Sequence, residues 1–203
     1  DKGNLTLPLY LLLTLKQRNT MSCLLTHGRE EVCKESVGGL QGVYFINYES
    51  GSFTKTVTGD NLGELSSLSG STVYYYELKG TSAYTETVNS SRENGTTFFS
   101  QESTLNLKKL TNEMTTQLKV LAYGRPQMIL WTNNGDALLA GEDHGCDLTA
   151  GSISTGAALG DLYGYSITMT GEEKLPAAFI SGSTTTSPFA GMAVVDQPII
   201  VAS

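Results

Sequence analysis

Val43-Tyr-Phe-Ile-Asn-Tyr48 is β-branched and aromatic and lies between Gly38-Gly39 and Ser50-Gly51. That pattern predicts a strand. Phe53-Thr-Lys-Thr-Val-Thr58 alternates and ends at Gly59-Asp-Asn, so a hairpin with the preceding strand is expected. Val73-Tyr-Tyr-Tyr-Glu-Leu78 predicts another strand, broken by Gly80. From Ser82 to Ser90 the residues Ala83, Thr85, Thr87 and Asn89 alternate against Tyr84, Glu86 and Val88. Asn94-Gly95 is a hairpin turn signal, and Thr96 to Leu107 continues as a long strand of mixed polarity.

The period then changes. Leu110, Met114, Leu118 and Leu121 fall on one face of a 3.6-residue repeat. Thr111 or Asn112 can cap its start, and Gly124 followed by Pro126 stops it. One helix over about 111–122 is expected, its apolar stripe against a sheet. Met128 to Thr132 returns to strand and turns at Asn133-Asn-Gly-Asp136. Further strands are expected near Asp136 to Gly141, Tyr163 to Thr170 and Ala177 to Ser181. Gly156-Ala-Ala-Leu-Gly-Asp-Leu-Tyr-Gly-Tyr165 reads as a Gly-rich turn delivering the chain into the second of these. Thr184 to Pro188 is loop, and Ala193 to Ala202 a last apolar strand or arm, where Pro198 favours a sheet edge. The pattern predicts a mainly β fold, an antiparallel sandwich or partly open barrel with one packed α-helix.

Residues Asp1 to Thr20 have another character. Leu5 to Leu15 is an apolar run, too short for the ~20 residues that span a bilayer. Lys16 and Arg18 stand where a signal peptidase would need small residues, and they weaken the likeness of Thr20-Met-Ser-Cys23 to a lipoprotein cleavage box. Met21 before the small Ser22 is the expected translation start. On this reading 1–20 is an upstream leader, 21–183 a single β-rich domain, and 184–203 a C-terminal loop and arm.

Composition changes this picture in one respect. Charged residues are 16% of the 203, and there are 22 glycines. Ser and Thr therefore take the place of charge on the surface, as in β proteins whose outer faces meet neighbours. A net charge of −7 argues against a general nucleic-acid binder, which needs a basic surface. It suits a channel wall along which a polyanion slides.

Candidate chemistry is sparse. Cys23, Cys33 and Cys146 are an odd set and form no disulfide framework of a small secreted fold. Free thiols of a reducing compartment are the expectation. Zinc could use Cys23, His27, Cys33, His144 and Cys146, but their spacing matches no zinc knuckle. A Cys23–Cys33 disulfide is the weaker alternative to free thiols. Glu142-Asp-His-Gly-Cys-Asp147 lacks the alternating acids of a calcium loop and reads as a solvated turn. No nucleophile elbow is present, and the glycines of 156–164 do not open a helix after a strand. Tyr74, Tyr75, Tyr76 and Tyr84 could form a stacking platform, but in a strand Tyr75 faces away from Tyr74 and Tyr76. Asn4, Asn89 and Asn94 are glycan acceptors only if the chain is secreted. No catalytic, cofactor-binding or metal-ligating residue is nominated, and no cofactor is expected.

The run Met21-Ser-Cys-Leu-Leu-Thr-His-Gly-Arg-Glu-Glu-Val-Cys-Lys-Glu-Ser-Val-Gly-Gly-Leu-Gln-Gly-Val-Tyr-Phe45 resembles the start of small virion structural proteins from tailed phages of Bacteroidota hosts. Gly160-Asp-Leu-Tyr-Gly-Tyr165, Gly171-Glu-Glu and Pro176-Ala add to the likeness, which is greatest to tail tube subunits. The resemblance implies a β-sandwich or barrel with a flanking helix, in hexameric rings that stack in the virion after assembly in the host cytoplasm. It implies as partners the chain itself and other tail proteins, with DNA only in passage through a lumen and no membrane. Sheets would join around the ring, and hairpins and arms would reach the next one. The candidates for those extensions are Asp60 to Ser71, Ser90 to Gly95 and Thr184 to Ser203. The leader before Met21 departs from the family pattern. Two alternatives stand beside this reading: a neck or capsid-decorating virion protein, and a receptor-binding or adhesin-like β-sandwich.

Overall fold

The computed structural model describes residues 28–31, 33–49, 53–56, 63–68, 72–192 and 199–201. The proposed leader, Cys23 and His27 lie outside them. The chain divides into units 1–33 and 34–203, and the account below concerns the second.

The fold is mainly β. A six-stranded sheet contains β1 (Leu40–Ile46), β4 (Val73–Glu77), β7 (Gln127–Thr132), β8 (Ala137–Ala140), β11 (Ala178–Phe179) and β12 (Ile199–Val201), in the order β11-β8-β7-β1-β4-β12. A four-stranded sheet contains β5 (Ala83–Ser91), β6 (Thr96–Lys108), β9 (Asp147–Ser154) and β10 (Gly164–Glu173), in the order β5-β6-β10-β9. A separate hairpin pairs β2 (Phe53–Thr56) with β3 (Glu64–Leu68). All strand pairs are antiparallel except β12 on β4. No sheet closes into a barrel among the described residues.

The two large sheets face each other across one core. Val43 and Phe45 of β1, with Met128 and Leu130 of β7, meet Leu105 of β6 and Tyr165, Ile167 and Met169 of β10. Period-2 alternation sends the intervening residues of β1 and β7 to the opposite face. There Tyr44, Ile46, Ile129 and Trp131 are covered by Leu65 and Leu68 of β3, together with Ile180, Phe189 and Met192. The six-stranded sheet is therefore buried on both faces, which explains its near-continuous apolar runs.

Helix α1 (Asn112–Tyr123) lies where the alternation gives way to the 3.6-residue repeat. Thr111 caps it, its hydroxyl accepting from the Met114 N–H, and the Gly124 N–H closes it on the Val120 carbonyl. Leu110, Met114, Leu118 and Leu121 pack on the inter-sheet core, as the stripe predicts. Tyr165 ties the helix start to β10: its hydroxyl donates to the Thr111 carbonyl at 2.9 Å.

Three expectations require correction. The hairpin between the first two strands does not form: β1 pairs with β4 and β7, and β2 pairs with β3. β1 is apolar on both faces and belongs in the sheet centre, which the polar-faced β2 could not supply. The Asp60–Ser71 segment is no free extension, because Leu65 and Leu68 of β3 are fully buried; 60–62 and 69–71 lie outside the described residues. Thr184 to Met192 is a loop as expected, but it packs on its own sheet through Phe189 and Met192. The Trp131 indole N–H fixes it by donating to the Thr184 carbonyl at 2.9 Å. β12 occupies the edge that Pro198 favours.

Candidate assembly surface

The residues with chemical potential are mostly employed in holding the fold. Cys33 is an exposed free thiol and Cys146 a buried one. Burial, reinforced by the Glu173 and Asp147 carboxylates, pushes the Cys146 thiol up to about 12, so it stays protonated and unreactive. Among the described residues no three His, Cys, Asp or Glu side chains gather as a metal site.

The turn expected to be solvated does expose Asp143, His144 and Asp147, and it is also anchored from beneath. Residues 141–146 carry the chain from β8 in one sheet to β9 in the other. Glu173, with its side chain only 4% exposed, holds this crossover. Its Oε1 accepts from the Asp143 and His144 N–H groups at 3.0 and 2.8 Å, and its Oε2 meets His144 Nδ1 at 3.0 Å. Buried Gln101 accepts the Gly141 N–H at 2.9 Å and donates to Glu86 at 3.1 Å. Gly141 has φ +70, and a Cβ there would stand 2.6 Å from the Cys146 sulfur. Only glycine fits that corner. A cleft of about 540 Å³ beside the turn is lined by Arg125, His144, Asp147, Glu172 and Lys174 among others. Its charges are mixed, and it contains no nucleophile paired with His144.

The tyrosines do not form one platform. Tyr75 stacks on Tyr44 with ring centres 4.7 Å apart, on the outer face of the six-stranded sheet. Tyr76 meets Phe45 edge-on at 5.1 Å, and Tyr74, Tyr76 and Tyr84 pack against the inter-sheet core. Burial raises the Tyr84 phenol above its ordinary range.

What remains uncommitted is the four-stranded sheet. The register aligns Thr85, Thr87, Ser100, Glu102, Thr104, Ser166, Thr168, Ala150 and Ser152 on its outward face. That face is hydroxyl-rich, with the exposed Phe98 ring at the turn end of its β6 row. Its two edge strands, β5 and β9, span nine and eight residues and are largely exposed. Neither contains Lys or Pro, although β9 is bulged opposite Thr168/Met169 and β5 turns Glu86 inward toward Gln101, two milder ways of guarding an edge. Each edge exposes an apolar side chain, Val88 at 60% and Ile153 at 53%. Among the described residues, no backbone hydrogen bond joins either strand to a partner outside this sheet.

Sequence reading missed β9 and Glu173. β9 carries a register shift opposite Thr168/Met169, so Leu148 and Ile153 fall out of alternation. Glu173 was reachable: it continues the inward series Tyr165, Ile167, Met169 and Gly171, so a buried carboxylate was implied by extending the strand. No protein-family model, curated protein or solved structure matches the chain. No helix among the described residues is long and apolar enough to cross a membrane.

Proposed function

We propose that this chain is a non-enzymatic structural protein of a virion that self-assembles into rings, stacked as a phage tail tube through which DNA passes. The observation that carries the reading is the pair of long edges on the four-stranded sheet, which pair with no strand outside it among the described residues. Its four strands alternate in direction across β5-β6-β10-β9. β9 of one copy and β5 of an equally oriented neighbour therefore run antiparallel, and the sheet can continue across the junction with its pattern intact. Joining two different edges is a heterologous contact, which closes into a ring when the rotation between copies permits.

The chemistry of the outward face supports the same reading. Hydroxyls and the carboxylates of Glu102 and Glu172 fill the middle of that face, where a DNA backbone meets no cation, while Phe98 and Lys108 stand at the two ends of its β6 row. A net charge of −7 acts in the same direction. A receptor-binding module receives less support, since the tyrosines that would serve it are divided between two faces. A neck or decorating protein would share the unpaired edges and differ in not stacking.

Lysine on the edges tests the reading. Val88→Lys and Ile153→Lys each place a charge on an exposed rim, where it opposes strand addition while leaving the core untouched. The native chain should sediment as rings or longer particles, and each variant as a monomer with unchanged circular dichroism. Variants that assemble as the native chain does would remove the edges from the account.

A further inference from the structure

The four-stranded sheet has a finger at one end and a cleft at the other. β10 pairs with β6 only as far as Glu173 opposite Phe99, whereas β5 continues through Asn89–Phe98, Ser90–Thr97 and Ser91–Thr96. Three residue pairs and the turn Arg92-Glu93-Asn94-Gly95 thus project as a two-stranded finger, roughly 10 Å beyond the third strand. The finger is stiffened from within: the Ser90 and Thr97 hydroxyls meet at 3.0 Å, and the Asn94 N–H donates to Ser91 Oγ at 3.3 Å. Its tip is exposed, and neither Arg92 nor Glu93 forms an ion pair among the described residues.

β6 begins in this finger and ends, about 40 Å away along its 13 residues, at Lys108. There a cleft of about 550 Å³ is lined by Lys79, Gly80, Thr81, Asn106, Lys108 and Asp161, among others. The Lys108 ammonium lies over Gly80, 3.6 Å from where a Cβ would stand, and has no ion-pair partner among the described residues. Lys79 is held by Glu77 at 3.0 Å. Asp161 uses Oδ2 to accept from the Ala157 and Ala158 N–H groups, which fixes the cleft wall formed by the 156–163 loop.

We propose that the occupant of this cleft is the finger of a second copy, displaced along the strand direction, so that Glu93 meets Lys108 and Arg92 meets Asp161. Three observations favour a second copy. Finger and cleft lie at opposite ends of one strand, the arrangement that repeats head to tail without closing. The two unpaired charges at the tip find opposite charges in the cleft. The wall of Thr81 and Asn106, tied together by the Asn106 amide donating to the Thr81 carbonyl, keeps polar atoms beside a turn whose backbone groups need partners once the cleft excludes water. The inference rests on the self-assembly reading and assigns its axial contact: unpaired edges join copies within a layer, and finger and cleft join one layer to the next.

The test uses the full chain and three variants, Glu93→Lys, Lys108→Glu and the double exchange, followed by light scattering and negative-stain microscopy. All the changes are at exposed positions away from the core. Each single reversal should leave particles of single-ring mass and raise the concentration at which they stack by about tenfold, the equivalent of one lost charge pair. The double exchange should restore stacking. Single reversals that stack like the native chain, or a double exchange that stays unstacked, would overturn this contact while leaving rings intact. A native chain that forms no rings would overturn the self-assembly reading and this contact with it.

Discussion

The two large sheets of this protein differ in what they leave uncovered. The six-stranded sheet is packed on both faces, against its partner sheet on one side and against β3 and the Thr184–Met192 loop on the other. The four-stranded sheet buries one face and leaves the other exposed, and its long edges β5 and β9 pair with no further strand, although α1 lies against β9. The first is built as a stable centre. The second lacks the edge Lys and Pro that most firmly oppose strand addition, its β9 being guarded only by a bulge and by α1. The contrast separates the region that holds the fold from the one the proposed assembly would use, and it can be broken at several points.

The largest effects belong in the doubly covered sheet. Ile129 and Leu130 are fully buried on its opposite faces. Either residue changed to alanine should cost about 2–5 kcal/mol in denaturant unfolding, whereas Thr85→Ala on the exposed face should stay within about 0.5 kcal/mol. Equal losses at both sites would erase the distinction. Next comes the crossover that joins the sheets. Glu173→Ala leaves the Asp143 and His144 N–H groups and the His144 ring without their acceptor. About 2–3 kcal/mol should be lost, and Glu173→Gln should lose less.

Alkaline titration probes the same corner. The Cys146 thiol ionises at about 12 in the fold, against an ordinary 9.0. Below pH 9 both folded and unfolded states hold the proton, and the thiol's contribution is complete. Between pH 9 and 12 only the unfolded chain loses it, so stability falls as pH rises, by about 1 kcal/mol at pH 10. Denaturation midpoints of Cys146→Ala should be flatter across that interval. In peptide mapping of the native protein at pH 8, a thiol reagent should label Cys33 rapidly and Cys146 slowly.

Smaller effects fall at the margins of the sandwich. Thr111→Ala removes the helix cap and should cost about 1 kcal/mol. Asp161→Ala frees the Ala157 and Ala158 N–H groups, and amide exchange at both should accelerate without a change in global unfolding. Those hydrogen bonds hold the Asp161 carboxyl below its ordinary value. The anchor is therefore complete at neutral pH and is lost only as pH falls through that lowered value.

Much of the fold was legible because local signals agreed with tertiary needs. The α1 stripe, its Thr111 cap and Gly124 stop, the Asn94-Gly95 turn and the edge position of β12 all follow from residue patterns. Pairing was less legible. Alternation in Phe53–Thr56 marks a strand but does not name its partner, and β1 found partners some thirty and eighty residues downstream. β9 was hidden by its bulge and by side chains too small to mark a face. The unpaired edges were invisible for a related reason: a Thr- and Ser-rich strand reads alike at the centre or the edge of a sheet, and only the strand order separates the two cases.

The most direct test is the particle mass of the native chain at high concentration, measured by light scattering with negative-stain images of the same sample. The account predicts closed rings, alone or stacked, with the four-stranded sheets joined edge to edge. A monodisperse monomer under those conditions would contradict it.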